Sequence, residues 1–303
     1  MSKLKSDNDQ LWRFLFQEAP VRGEAVRLES SWQEVLKRSD YPPAVRTLLG
    51  ELLAASTLLT ATLKLEGSII IQAQGRGPVN FLVVECNSNR QHRAIAKWDP
   101  STDGLDKAHP DIRRLLGDGQ LVITIDPKDR NERYQGIVEL SGNSVAQILE
   151  HYLHKSEQLS TRLWLAADGN YAAGLLLQEL PRSDAHPELD EDMWNRAVQL
   201  ASTVTKEELL EADAGTLIHR LYHDETLKVF EADTVSFHCP CSRERVANAL
   251  RTLGYDDIHK LLEEQGKIES RCEFCNAQYV FDAVDVEQVF AAGHMNKPGP
   301  TQH

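Results

Sequence analysis

Two close cysteine pairs constrain this chain more than any other feature. Cys239-Pro-Cys241 and Cys272-Glu-Phe-Cys275 stand 30 residues apart near its C-terminal end. Such pairs supply four sulfur ligands at the spacing of a tetrahedral zinc site, and we read Cys239, Cys241, Cys272 and Cys275 as candidate metal ligands. The residues between them have a pattern of their own. Arg243 to Leu253 places Val246, Leu250 and Leu253 on one helical face, and Gly254 stops it. Ile258, Leu261 and Leu262 predict a second short helix ending at Gly266. Lys267 to Cys272 and Gln278 to Phe281 read as the arms of a ribbon with the second cysteine pair at its tip.

A module of roughly 55 residues has too small an apolar core to be secure alone. Zinc on four thiolates contributes about 10–16 kcal/mol in small peptides, as much as the ~5–15 kcal/mol net stability of a whole domain. Metal loss is therefore expected to unfold the module. A purely structural site is the common use of four cysteines, but two features point toward redox chemistry. A Cys-x-Cys pair is less usual than Cys-x-x-Cys, and both pairs are close enough in sequence to close a local disulfide, Pro240 bending the shorter one. Zinc-bound thiolates remain nucleophilic toward oxidants. Arg243, Arg245 and Arg271, near in sequence, would favour the thiolate form or are ordinary surface residues.

Other candidates rank below these. His238 adjoins Cys239, yet four sulfurs already complete a shell. His219 and His223 sit one helical turn apart without the glutamate of a metalloprotease helix, which reads as a surface pair. Cys86 ends an apolar strand and reads as a small core residue. There is no phosphate-binding Gly-x-x-x-x-Gly-Lys-Ser/Thr loop and no zinc-deaminase signature.

Charge narrows the partners. The chain has 33 basic and 46 acidic residues, a net charge of −13. Such a surface repels phosphate backbones and anionic lipid, so no nucleic acid and no membrane are expected as partners. The N-terminus lacks the apolar stretch of a secretory signal, and the longest uncharged run in the apolar helix candidate, Leu52 to Leu63, spans 12 residues against the ~20 of a membrane span. A cytoplasmic location is expected, where thiols stay reduced.

Along the chain, residues 1–181 read as one mixed α/β domain. Strands are expected at Leu11–Phe16, Val21–Leu28, Ile69–Ile71, Phe81–Val84, Ala94–Trp98, Leu121–Ile125, Tyr134–Leu140, Leu163–Ala167 and Ala172–Leu177. Helices are expected after Pro42-Pro43 and near Ser144–Leu153. Short adjacent strands with few helices between them favour an antiparallel-rich α+β sheet over a doubly wound one. Residues 182–234 are acidic, with 13 acidic against four basic residues from Ser183 to Asp233. Thr205 to Glu208 forms a capping box, and Leu217, Ile218, Leu221 and Tyr222 share one face. We read this stretch as a helical linker, metastable because short acidic helices need a packing partner. Residues 235–293 form the cysteine module, and 294–303 read as a disordered tail.

At FHCPCSRERVANALRTLG and RCEFCNAQYVFD the sequence resembles the 33 kDa heat-shock-protein family, the redox-regulated holdase chaperones of bacteria. YQGIVEL (134–140), HYLHKSEQLSTRLWLA (151–166) and YAAGLLLQELP (171–181) are similar to its core motifs, so the likeness covers nearly the whole chain. The one departure, Ser270-Arg271 ahead of Cys272, leaves the four sulfurs untouched. The resemblance implies an α+β core, a helical linker and a small zinc-binding domain. It implies an ATP-independent holdase, not an enzyme, inactive while zinc sits on four reduced cysteines. Oxidation would join Cys239 to Cys241 and Cys272 to Cys275, release zinc, unfold the module and loosen the linker. Unfolded client proteins would then bind, with a homodimer in the oxidised state. The residues alone leave other readings open: a zinc-ribbon adaptor for nucleic acid or protein, a thiol–disulfide oxidoreductase, or an iron–sulfur cluster on the same ligands.

Overall fold

The computed structural model describes residues 9–63, 66–107, 111–129, 132–181 and 192–294. It divides into two compact units, one ending at His238 and the other beginning at Cys239. The expected disordered tail lies outside the described residues, apart from its first residue, and so does the start of the acidic segment.

The first unit runs, in chain order, through β1 (Gln10–Phe16), β2 (Val21–Leu28), α1 (Ser30–Leu36), α2 (Pro43–Thr62), β3 (Gly67–Gln74), β4 (Val79–Asn87), β5 (Gln91–Trp98), α3 (Ile112–Leu116), β6 (Gln120–Pro127), β7 (Tyr134–Val138), α4 (Val145–Glu157), β8 (Thr161–Ala167) and β9 (Ala172–Glu179). It continues through the acidic segment with α5 (Met193–Ala201), α6 (Lys206–Glu211), α7 (Ala214–Tyr222), β10 (Leu227–Val229), β11 (Asp233–Thr234) and β12 (Ser236–Phe237). Two sheets result. One has the order β10-β1-β2-β9-β8 with β11 also on β1, and the other β12-β5-β4-β3-β6-β7. Every pairing is antiparallel except that of β12 with β5. The antiparallel-rich α+β class expected from the short adjacent strands is the one observed.

Helix α2 packs against strands of both sheets and forms the centre of the main core. Pro43 opens it at a position where its missing N–H costs nothing. Two of its hydroxyls are bonded back to the preceding turn, Thr57 Oγ1 to the Leu53 carbonyl at 2.9 Å and Thr60 Oγ1 to that of Ser56 at 2.6 Å, so they lie buried without an unmet donor. Gly50 lets the helix approach the sheet closely, because a Cβ there would stand 2.4 Å from that of Ala167. At 20 residues the helix is longer than its uncharged run, since Arg46 and Glu51 lie inside it. By length and composition it is able to cross a membrane, contrary to the 12-residue reading. However, 83% of its most apolar stretch is buried inside the protein, which marks it as a core helix.

The acidic segment covers the first sheet. Helices α5, α6 and α7 bury Met193, Ala197, Ala201, Leu209, Leu217, Ile218 and Tyr222 over Phe14, Phe16, Val21, Ala25, Leu175 and Leu177. The chain then returns as β10 along β1, Phe14 opposite Val229.

The second unit comprises α8 (Arg243–Leu253), α9 (Tyr255–Gln265), β13 (Ile268–Arg271), β14 (Gln278–Phe281) and α10 (Ala283–His294). The two strands form the expected ribbon, with Ile268 opposite Phe281. Among the described residues its core is seven buried side chains: Ala247, Leu250, Ile258, Leu262, Ile268, Phe281 and Val286. Leu253, assigned to the buried face of α8, is 63% exposed, and Ala247 takes its place. Helix α10 was not expected. It is capped by Asp282 and Asp285, each carboxylate accepting the other's backbone N–H, and Arg251 Nε donates to the Val289 carbonyl at 2.7 Å to hold it on α8.

Candidate metal and redox centre

The two cysteine pairs converge. The four Sγ atoms of Cys239, Cys241, Cys272 and Cys275 all lie within 4.8 Å of one another. Two contacts run between pairs, 3.6 Å from Cys239 to Cys272 and 3.2 Å from Cys241 to Cys275. Tetrahedral zinc with bonds of ~2.3 Å would need its sulfurs about 3.8 Å apart, so the donor set fits that ion in both kind and spacing. All four cysteines are free thiols and half-buried.

Local backbone geometry explains the second pair's shape. The ribbon turns through Cys272–Ala277, where the Asn276 N–H donates to the Cys272 carbonyl at 2.8 Å and the Cys272 N–H to the Ala277 carbonyl at 2.9 Å. Asn276 adopts a left-handed φ of 59°, a conformation asparagine tolerates better than most residues. Opposite it, Ser242 caps α8 through the Arg245 N–H and fixes the chain just beyond Cys241.

The electrostatics are those of sulfurs crowding one another. Burial, together with the neighbouring thiols, pushes Cys275 up to about 12, and burial raises Cys239 as well. Burial also raises Cys241, but hydrogen bonds from Tyr279 and the other thiols outweigh it and bring that thiol down to about 7. Without a cation, four adjacent sulfurs cannot all carry charge, and a divalent ion would reverse that order outright.

Tyr279 was read from sequence only as part of a ribbon arm. Its hydroxyl donates to Cys241 Sγ at 3.1 Å. Nothing in the spacing of the cysteines signals this contact, which depends on the register of β13 with β14. Arg243 does not serve the sulfurs as proposed. Its guanidinium is engaged by Asp285 at 2.7 Å and by the Val280 carbonyl at 2.6 Å, and it stacks over Phe281. His238 is not among the clustered ligands, and its N–H donates to the His92 carbonyl. His219 and His223 face each other at 6.5 Å, with His223 Nε2 beside the exposed Asp224. Cys86 is fully buried, and desolvation pushes its thiol up to about 11, as expected of a core residue.

A second polar cluster ties the end of the acidic segment to the first unit. Asp233 on β11 meets Arg90 at 3.0 Å and Arg13 at 3.4 Å. Beside them, burial raises Glu24 to about 7 against the opposing pull of Arg22, Arg90 and Arg13. Val235 follows, buried, with its N–H on the Asp9 carbonyl, and Cys239 comes four residues later.

Comparison with known proteins places these features. The model of the family described as Hsp33 protein matches residues 9–282. The chain is 48% identical over 284 residues to the 33 kDa chaperonin of Methylobacillus flagellatus, covering 93% of this chain and 94% of the relative. It is 48% identical over 300 residues to that of Pseudomonas aeruginosa, covering 98% and 100%. Its fold is similar to the crystal structure of the 33 kDa chaperonin of Thermotoga maritima, with a TM-score of 0.80 at 22% identity over 95% of this chain and all of that one.

Proposed function

The chain belongs to the Hsp33 family of chaperones, which are not enzymes, and we propose from that premise that its cysteine cluster is the redox switch of an ATP-independent holdase. The observation that carries this reading is the convergence of four free sulfurs within 4.8 Å in a unit with seven buried core side chains among its described residues.

Zinc bound to Cys239, Cys241, Cys272 and Cys275 would tie the start of the second unit to the tip of its ribbon and supply the stability that so small a core lacks. In this reduced form the protein is inactive. Oxidation by peroxide or a similar electrophile converts Cys272 and Cys275 to one disulfide and Cys239 and Cys241 to another, which removes the donor set. Local pairing is what the family likeness implies, and its consequence differs from that of the alternative. A disulfide across the pairs would close a loop of more than thirty residues and, at about 3–4 kcal/mol, would help hold the unit together. Pairing within each knuckle closes only a tiny loop and leaves the unit free to unfold.

Unfolding of the second unit then loosens the acidic segment, our proposed metastable linker over 182–234. Helices α5, α6 and α7 have nine, six and nine residues, too short to persist in water alone. Their departure would bare the aromatic face around Phe14 and Phe16 and free Leu217, Ile218 and Tyr222. These surfaces bind unfolding client proteins, and the oxidised form is a homodimer. A cytoplasmic setting, where thiols are normally reduced, gives such a switch its meaning.

The test follows oxidant, metal and client together. Peroxide at elevated temperature is expected to release zinc, remove four free thiols and suppress aggregation of a denatured client. Metal release without suppression would refute the holdase reading, and salt-sensitive binding of nucleic acid by the reduced protein would favour the adaptor instead.

A further inference from the structure

We propose that Tyr279 is a positioning residue for the Cys241 sulfur, restraining its attack on oxidants and so setting how readily the switch is tripped. This inference rests on the redox reading above.

The geometry is specific. Tyr279 lies on β14, opposite Ser270 on β13, four residues beyond Cys275. Its ring packs against the small core of the second unit, which fixes its direction. From there the hydroxyl reaches not its own knuckle but the other one, donating to Cys241 Sγ at 3.1 Å. The phenol thus joins the two halves of the cluster by a polar contact that bypasses the sulfur–sulfur contacts.

The consequence follows from the chemistry of the oxidation. A thiolate lone pair attacks one oxygen of the peroxide, the S–O bond forms, the O–O bond breaks and hydroxide leaves as water after taking a proton. The paired cysteine then attacks the resulting sulfenic sulfur, the S–S bond forms and a second water departs. Two electrons pass from two sulfurs to one peroxide. A hydrogen bond into the attacking lone pair lowers its energy and slows the first of these steps. The metal-held Cys241 sulfur therefore attacks more slowly than it would without the phenol, and the pair it belongs to is restrained while Tyr279 holds it. Groups hydrogen-bonded to metal ligands commonly change affinity or reactivity on the order of 10-fold or more when removed.

Tyr279→Phe keeps the ring in the core and removes only the hydroxyl. The full-length variant, reduced and loaded with zinc, is treated with hydrogen peroxide, and zinc release is followed with a chromogenic chelator. Alkylation and mass mapping give the order in which the cysteines react. The same protein loaded with cobalt(II) reports the sulfur-to-metal charge-transfer band, which ring packing alone would not move. We expect zinc release on the order of 10-fold faster, earlier modification of Cys241 than in the wild type, and a red shift of that band with unchanged far-UV circular dichroism. Wild-type release kinetics with an unshifted band would overturn the role of Tyr279 and leave the redox reading standing. If the wild-type protein itself keeps its zinc in peroxide, the redox reading falls and this inference with it.

Discussion

Glu24 and Glu51 make the first unit sensitive to pH near neutrality. Burial is the leading cause at both, raising each carboxyl to about 7, with Lys206 opposing it at Glu51 and three arginines at Glu24. An acid whose folded value lies above its unfolded one favours folding where it is protonated. The contribution is therefore lost as pH rises through about 7. His92 acts in the opposite sense, since burial lowers it to about 3 and the fold must keep it neutral below about 6.5. Between pH 8 and 6.5 the carboxyls decide, so the thermal midpoint of the first unit should rise as pH falls across that window. A flat or inverted profile would show that these groups are solvated in the folded protein. At the cluster, Cys272→Ser should lower bound zinc well below one per chain and reduce the helicity of residues 239–294; unchanged metal content would contradict the ligand assignment. The four cysteines were legible in the sequence because knuckle spacing is local. Tyr279 on Cys241 and Arg243 on Asp285 were not, because both depend on which residues a strand register and a helix packing bring together.

Helix α7 is the element on which the proposed cover most depends. It buries Leu217, Ile218 and Tyr222, and the Tyr222 ring lies 5.1 Å from Phe16 and 5.7 Å from Phe14. Gly23 makes room beneath, since a Cβ there would collide with the Phe14 ring. Leu217→Ala should weaken the cover by about 2–4 kcal/mol, and the reduced variant should suppress client aggregation without oxidant. A reduced variant as inactive as the wild type would argue that clients bind elsewhere. Thr205→Ala removes the capping box of α6 and should act in the same direction by about 1 kcal/mol, read as a lower oxidant or temperature requirement for activation. The capping box and the apolar face of α7 were plain in the sequence, as were strands β1 to β9, because both rest on short-range periodicity. The return of β10 and β11 to β1 was not, because pairing across some 220 residues leaves no local mark. Helix α10 was missed for a related reason: its apolar pattern is weak, and its place is fixed by Arg251 and the Asp282–Asp285 cap.

At the scale of the molecule, stability is unevenly divided. Among the described residues, the first unit has two six-stranded sheets and an extensive core around α2, whereas the second has a two-stranded ribbon and seven buried core side chains. A ribbon of that size is marginal in water without help. On the proposed function, one metal ion holds residues 239–294 together while the first unit stands without it. Hydrogen exchange of the reduced, full-length protein before and after zinc removal by a chelator tests this most directly. Amides of α8, α9, β13 and β14 should lose their protection while those of α2 and β2 keep theirs. Protection in the second unit that survives the loss of the metal would contradict it.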